Sequence, residues 1–523
     1  MQWLDWTVMV AFLLLMVAIG WASKYLVKNT KDYFTGGGKM PWWLVGISHH
    51  MSGYSAVVFT AYAGIAYKYG FTIYFWWAVP ISMACFLGVF VFAPRWSRLR
   101  TRYHIESPME FIATRYDVPT QQLLAWWGVL LKILDVGAKW AAIGVIISTF
   151  TDIDLIWAIL ISVAVGLFYS TIGGLWAGTI TDFVQFLVQF AAGVIMFIVA
   201  MLKLNEILGT HGIESLWKLW EHLPEGHSNC FAGPYDTTFT VGWLLVVILS
   251  FNGGTWNLAQ RYIAAPTSKD AKKAAILSAA LYLIWPLVLF FPMWAAPILV
   301  PNVDESLLNN NIYAMLVMKF LGPGMVGLML ASLVAHTLAM TTSDATAITA
   351  VVTRDIAPRI WKRAASFTEK ESLFFARVVT FAFLAATAVI AFYKDSFGDI
   401  IGLVVSWYSA MLGAVAVPMI LGLLPIFRRS NHIAAYASVF SGIVMFFVTK
   451  YNVLGITTEY ANILGTKAEG VNMLVPVLTS LVVYCLVGLI FWTRGIPTKK
   501  ESDDMLAAIS SDEKVVPKSE IEI

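Results

Sequence analysis

Apolar residues run along this chain in blocks of about 20, the length a helix needs to cross a bilayer, separated by short polar stretches. The blocks predict about thirteen helical spans. They centre near residues 5–24, 41–66, 72–93, 122–150, 154–172, 178–203, 239–263, 275–300, 324–352, 373–393, 399–424, 432–450 and 472–493. Val8–Gly20 resembles a signal-peptide core, but Asp5 precedes it and no Lys or Arg does. Lys24, Lys28, Lys31 and Lys39 all follow it, the reverse of a secretory leader, so an uncleaved first span with its N-terminus outside is expected.

Composition agrees with this pattern. Of 523 residues, 59% are hydrophobic and 13% charged, against about 45–50% and about 25% in soluble domains. An all-α polytopic membrane protein follows. Arg95, Arg98, Arg100 and Arg102 fall on the same side as Lys24 and Lys28 when the spans alternate. Lys272, Lys273, Arg354, Arg359, Lys362, Arg363, Arg428 and Arg429 fall there too, which marks that side as cytoplasmic. The tail after Thr493, with "TKKESDD" and "SSDEK", is charged and lacks aromatic residues, and is expected to be disordered in the cytoplasm. A net charge of +3 without an aromatic-studded basic cluster excludes a nucleic-acid partner. Cys85 and Cys485 lie in apolar spans and Cys230 in a loop, so no disulfide framework or cysteine metal site is readable.

Two spans are interrupted from within. "GISHHMSGYSAV", Gly46 to Val57, places two histidines, two glycines and three serines inside the second span. "SFNGGTWN", Ser250 to Asn257, does the same in the seventh, five spans later. A lone glycine in a membrane helix usually serves close packing. A matched pair at this offset, flanked by His, Asn, Ser and Thr, fits a transporter of inverted repeats whose corresponding helices break at the substrate site.

Further stretches carry a family likeness. "KDYFTGGGKMPWW", "MSGYS", "YSTIGGLWAGTITDFVQ", "AQRYIAAPTSKDA", "GPGMVGLMLASLVA" followed by "TRDI", and "AMLGAVAVPMILGLLPIFRR" occur in order between Lys31 and Arg429. Together they resemble the sodium/solute symporter family, which includes sodium/glucose, sodium/proline and sodium/pantothenate cotransporters. The resemblance implies two inverted five-helix repeats, at 41–204 and 239–426, with an extra helix and cytoplasmic loop at 1–40. Two C-terminal helices at 427–493 and the tail at 494–523 complete the division. It also implies sodium-coupled uptake of a small solute by alternating access in the plasma (inner) membrane. Sodium is then the coupling ion, no other cofactor is needed, and no obligate protein partner is readable.

The family places one sodium between the first and eighth core helices. Those positions map to the carbonyls of Ser48 and Met51 and to His336, Ala339 and Met340, so two family hydroxyls are missing here. A second cation position maps to Asp182, Thr342 and Ser343, all with oxygen chemistry, and Thr342 and Ser343 lie three and four residues past Ala339 on one helix face. A carboxylate within the bilayer is a functional hypothesis by default. The plainer role for Asp182 is to cap a helix starting near Thr179. His49, His50 and His336 could carry a proton in place of, or beside, the sodium, or could simply hydrogen-bond to backbone and line the pocket.

For the solute, Ser52, Tyr54 and Ser55 face Asn252, Thr255, Trp256 and Asn257 across the two interruptions, and Trp407 and Tyr408 could close a face. Rings plus amides and hydroxyls suit a sugar or sugar-like solute. Lys132, Asp135 and Lys139 share one face of the fourth span, where an ion pair is the plain reading and the excess cation keeps organic acids and sugar acids open. A carrier of an organic acid or amino acid is the alternative to a sugar carrier. Asp344 could join the cation site or pair with a base. A membrane enzyme is disfavoured, since neither HExxH nor GxSxG occurs, and GxxxxGK[ST] is absent. A solute sensor would carry a soluble signalling domain, and only about thirty residues follow the last span.

Overall fold

The computed structural model describes residues 1–303, 312–393 and 415–512, with the side chains of residues 169 and 172 excepted. Among these residues the chain is helical, and the sole β contact is an isolated bridge between Ala232 and Tyr235. Among the described residues, eight helices are long and apolar enough to cross a membrane, or up to ten if each bent pair counts as one span. Helix covers each of the expected blocks except 399–424, most of which lies outside the described residues. The lower count has a physical origin. The 41–66 block is split into Trp42–Met51 and Ala61–Tyr69, each too short to span. The 239–263 block ends its long helix at Gly254 and resumes as Asn257–Ala264.

The 154–172 and 178–203 blocks form one stretch, Leu155–Leu208, interrupted at Gly174 (φ 51°, ψ −142°). That conformation is closed to residues with a Cβ, and a Cβ there would sit 2.7 Å from the Tyr33 carbonyl oxygen. Tyr33, from the "KDYFTGGG" loop, wedges into the kink, its hydroxyl donating to the Ser170 carbonyl at 3.2 Å. Asp182 therefore lies two turns inside a helix, and the capping role at Thr179 does not apply.

The Met325–Val351 helix is the axis of the molecule. Its most apolar window is 89% buried, against 28–33% for Trp3–Leu26, Glu369–Phe392 and Ala468–Thr493. Its polar groups thus face protein, as they must in a bilayer. Asp5 ties the first helix to its start: Oδ1 accepts from the Gly324 and Gly327 amides at 2.7 and 3.0 Å, satisfying donors orphaned at a helix N-terminus.

The tail departs from the disordered expectation. Lys500–Ser510 is a helix whose Met505, Leu506 and Ile509 are buried. It docks on the Ala93–Tyr103 helix, where Arg98 bonds Asp512 (2.8 Å) and the Ile509 carbonyl (2.8 Å). Lys499 also donates to the Tyr116 carbonyl at 2.7 Å. Three apolar residues on one face are enough to order a short charged segment once a partner surface is present.

Candidate functional site

Both interruptions are breaks. After Met51 the backbone turns, forms a single tight turn at Ala56–Val58, and resumes as helix at Ala61. Ala56 donates its amide to Thr337 Oγ1 at 3.1 Å, pinning the break to the central helix. Tyr282 donates to the His50 carbonyl at 2.8 Å. In the second break, Ser250–Gly254 is a widened turn with Gly253 at φ 121°, and Trp96 donates to the Asn252 carbonyl at 2.8 Å. The His50 and Asn252 carbonyls at the two breaks are thus each met by a side chain, as irregular backbone at membrane depth requires of freed polar groups.

His49 joins the breaks. Its Nε2 donates to the Phe251 carbonyl at 3.2 Å, which leaves Nδ1 to accept from the Ser278 hydroxyl at 2.7 Å. His50 packs between Tyr54 (4.8 Å) and Tyr282 (4.6 Å), and His336 against Phe59 (4.9 Å). The ring nitrogens of His50 and His336 have no hydrogen-bond partner among the described residues.

Asp182 collects the cation residues. It is fully buried, accepts from the Ser48 hydroxyl, and lies 3.5 Å from Arg261 Nη2. Arg261 in turn donates to Ser343 Oγ, which donates to the Ala339 carbonyl at 2.7 Å and accepts from Ser52 at 3.1 Å. Thr342 donates to the Leu338 carbonyl at 2.7 Å and reaches the Ala339 carbonyl at 3.2 Å. The structure therefore links Ser48, Asp182 and Ser343 through Arg261, with the Ala339 carbonyl beside Ser343, while the Thr342 hydroxyl bonds carbonyls of its own helix. The Met51 side chain packs with Ala339 and Ile47 in an apolar cluster, so this part of the first cation position offers carbonyl oxygens alone.

A small cavity of about 30 Å³ lies between the breaks, lined by Gly53, Ser55, Tyr62, Trp77, Phe251 and Met340 among others. A neighbouring one of about 10 Å³ shares Gly53, Phe251 and Met340 and adds Ser52, Thr255, Asn257 and Lys132. Of the expected solute residues, Ser52, Ser55, Thr255 and Asn257 line this space. Three others face elsewhere. Asn252 points its amide at the carbonyls of Ala84, on the neighbouring Val79–Phe90 helix, and of Ile248, on its own (3.0 and 2.8 Å). Tyr54 stacks on Tyr282 at 5.5 Å, and Trp256 packs on the Val118–Phe150 helix at Gly128. Trp407 and Tyr408 lie outside the described residues.

The cavity wall also carries Asp135 and Lys139. Lys132 bonds Asp135 (3.0 Å) and Asp344 (2.6 Å), and Lys139 bonds the same two carboxylates (2.7 and 2.5 Å). Two cations meet two anions, so the excess positive charge inferred from the fourth span alone is cancelled by Asp344. Three residues escaped sequence reasoning. Tyr62 and Trp77 looked like any other aromatic in a chain with 22 tryptophans, whereas Arg261 was visible as a charge inside an apolar block.

The sequence profile of the sodium:solute symporter family matches residues 33–442. A sodium/glucose cotransporter of Vibrio parahaemolyticus is 25% identical over 389 residues, covering 68% of this chain and 69% of that protein. A sodium/sialic acid symporter of Proteus mirabilis is 22% identical over 462 residues, covering 86% and 90%. The human sodium/myo-inositol cotransporter 2 is 23% identical over 476 residues, covering 84% and 69%. The fold is similar to that of a Na+-coupled sialic acid symporter solved in a substrate-bound, outward-open state, with a TM-score of 0.80 at 18% identity over 95% of this chain and 99% of that one.

Proposed function

The chain belongs to the sodium:solute symporter family, and from that premise we propose that it carries a small polyhydroxylated solute, a sugar or sugar-like compound, driven by the sodium gradient. One observation supports this above others: the cavity lies between the two helix breaks and draws lining from both. Ser52, Ser55, Thr255 and Asn257 offer hydroxyls and an amide for the solute's hydroxyl groups. Tyr62, Trp77 and Phe251 offer ring faces for its apolar faces. The relatives named for glucose, sialic acid and myo-inositol point to the same solute class.

Sodium sits, in this reading, beside Asp182, with Thr342 and Ser343 as hydroxyl ligands and Ser48 next to them. A hard cation takes oxygen ligands, and a single buried carboxylate matches its charge. Binding of ion and solute on either side of Ser52, which bonds Ser343, would couple the two sites through one residue. Alternating access then moves the two broken helices around this fixed centre. The neutral Lys132–Lys139–Asp135–Asp344 cluster favours an uncharged or zwitterionic passenger over a simple organic acid. The docked C-terminal helix on the arginine-rich Ala93–Tyr103 segment supports a cytoplasmic C-terminus, with the N-terminus outside.

Uptake of radiolabelled sugars, sugar acids and amino acids into proteoliposomes tests this. The expected result is accumulation of a polyhydroxylated solute under an inward sodium gradient and none without it. Accumulation indifferent to both sodium and proton gradients would eliminate symport.

A further inference from the structure

Arg261 is the buried charge that the proposed cation position leaves unexplained. It sits on the Asn257–Ala264 helix directly after the second break and is fully buried. Its Nη2 donates to Ser343 Oγ and approaches Asp182 Oδ2 at 3.5 Å. These are two of the oxygens proposed to hold sodium.

The pair is loosely made. A buried guanidinium and carboxylate normally meet through two parallel hydrogen bonds near 2.7–2.9 Å. Here one long contact joins them, and Arg261 Nε and Nη1 and Asp182 Oδ1 have no hydrogen-bond partner among the described residues. The neighbouring lysine–aspartate cluster shows what a saturated pairing looks like in this protein, with four contacts between 2.5 and 3.0 Å. Three orphaned polar atoms on one ion pair are poor design for a permanent staple. They suit a pair that is meant to part.

We infer that Arg261 is a built-in competitor of the coupling sodium, and that sodium bound at Asp182 and Ser343 displaces its guanidinium. This rests on the cation position proposed above. Charge decides it: Asp182 supplies one negative charge, and the two serines supply none, so the site compensates one cation. A guanidinium and a sodium ion held on the same oxygens would repel each other at low dielectric.

Displacement would also have a mechanical result. Arg261 ties the helix after the second break to Asp182 of the Leu155–Leu208 stretch and to Ser343 of the central helix. One turn earlier on the same helix, Asn257 reaches the Ser52 carbonyl at 3.5 Å and lines the cavity. An ion that releases Arg261 therefore frees the helix that carries a solute ligand. Arg261 is thus a positioning residue for coupling, acting through the charge it exchanges with the ion.

The test uses the purified full chain at mildly alkaline pH, where carboxyls stay ionised, with potassium as the control. Thermal stabilisation by sodium is measured for the wild type and for Asp182→Asn, Arg261→Gln and Arg261→Lys. The wild type should be stabilised and Asp182→Asn should not. Arg261→Gln should reach half-maximal stabilisation at a sodium concentration lower by about tenfold or more, the usual size of such a coupling, with Arg261→Lys in between. Sodium dependence unchanged or weakened in a folded Arg261→Gln would overturn the competition while leaving the cation position standing. If Arg261→Gln does not fold, Arg261→Lys decides alone, by a lower or an unchanged half-maximal concentration. A wild type insensitive to sodium, or Asp182→Asn still responding, removes the cation position and the inference with it.

Discussion

Lys139 Nζ lies 2.5 Å from Asp344 Oδ2, across the contact between the Val118–Phe150 and Met325–Val351 helices. Lys132 and Asp135 close the cluster, so each ammonium touches both carboxylates. Removing one member strands a charge that no solvent reaches. Asp344→Ala is expected to cost about 3–5 kcal/mol of stability, the range for breaking a buried pair. Adding Lys139→Met should return part of that loss, because the double variant restores charge balance. Thermal unfolding of the four proteins of this cycle in detergent measures it. Strictly additive losses would show that the cluster does not act as a unit.

Gly53 sits where the first break meets Tyr282. A Cβ at this position would lie 1.8 Å from the Tyr282 hydroxyl and 3.0 Å from the Phe251 ring. No rotamer of a side chain anchored at His50 relieves that overlap cheaply. Gly53→Ala should therefore abolish sodium-driven uptake and lower stability. Combining it with Tyr282→Phe removes the nearest atom and should recover part of the stability, although the ring itself remains close. Failure of the second change to help would place the damage elsewhere than in this contact.

The two breaks were legible because glycine and polar residues interrupt apolar blocks, which a lipid-facing helix does not tolerate without reason. The family likeness pointed to Ser48, Thr342 and Ser343 beside Asp182; Ser48 bonds Asp182 and Ser343 is linked to it through Arg261, while the Thr342 hydroxyl bonds carbonyls of its own helix. Other features depend on contacts distant in sequence. Asp344 left its partner open, because the lysines it meets are about 200 residues away and nothing local points to them. The amide of Asn252 looked like a solute ligand, yet backbone carbonyls of Ile248 and of Ala84 on the adjacent helix claim it. In the tail, the even distribution of charge masked the spacing of Met505, Leu506 and Ile509, whose burial depends on a surface supplied by the Ala93–Tyr103 helix.

That docked tail should respond to acid in a defined window. Hydrogen bonds from Arg98 and Ser268 hold the Asp512 carboxyl down to about 2. A group depressed in the folded state contributes its stabilisation in full above the unfolded carboxyl value, about 3.9, and loses it as pH falls toward the folded one. Docking should be indifferent to pH from neutrality down to about pH 5 and loosen between about pH 4 and pH 2. Asp512→Asn should undock the helix already at neutral pH. Hydrogen exchange over Lys500–Ser510 reads this directly, and full protection in Asp512→Asn would show that the buried apolar face alone holds the helix.

His49 spans the two breaks with both ring nitrogens engaged, one on the Phe251 carbonyl and one on the Ser278 hydroxyl. Such a ring is fixed in a neutral tautomer by its partners, which suits a tie between the halves better than a proton carrier. His49→Phe keeps the bulk and strands both partners, at about 1–3 kcal/mol for each buried group left unsatisfied. Because His49 on the first broken helix ties it to the Phe251 carbonyl in the second break, the variant should lose uptake rate more than sodium affinity. His50 and His336 make no comparable bonds, so they are the places where proton coupling would have to reside. Uptake at fixed sodium, measured with and without an imposed proton gradient in the wild type, His50→Gln and His336→Gln, separates the two roles. The expected outcome is a wild-type rate unchanged by the gradient. A gradient-driven rate that disappears in either glutamine variant would instead give that histidine the coupling role.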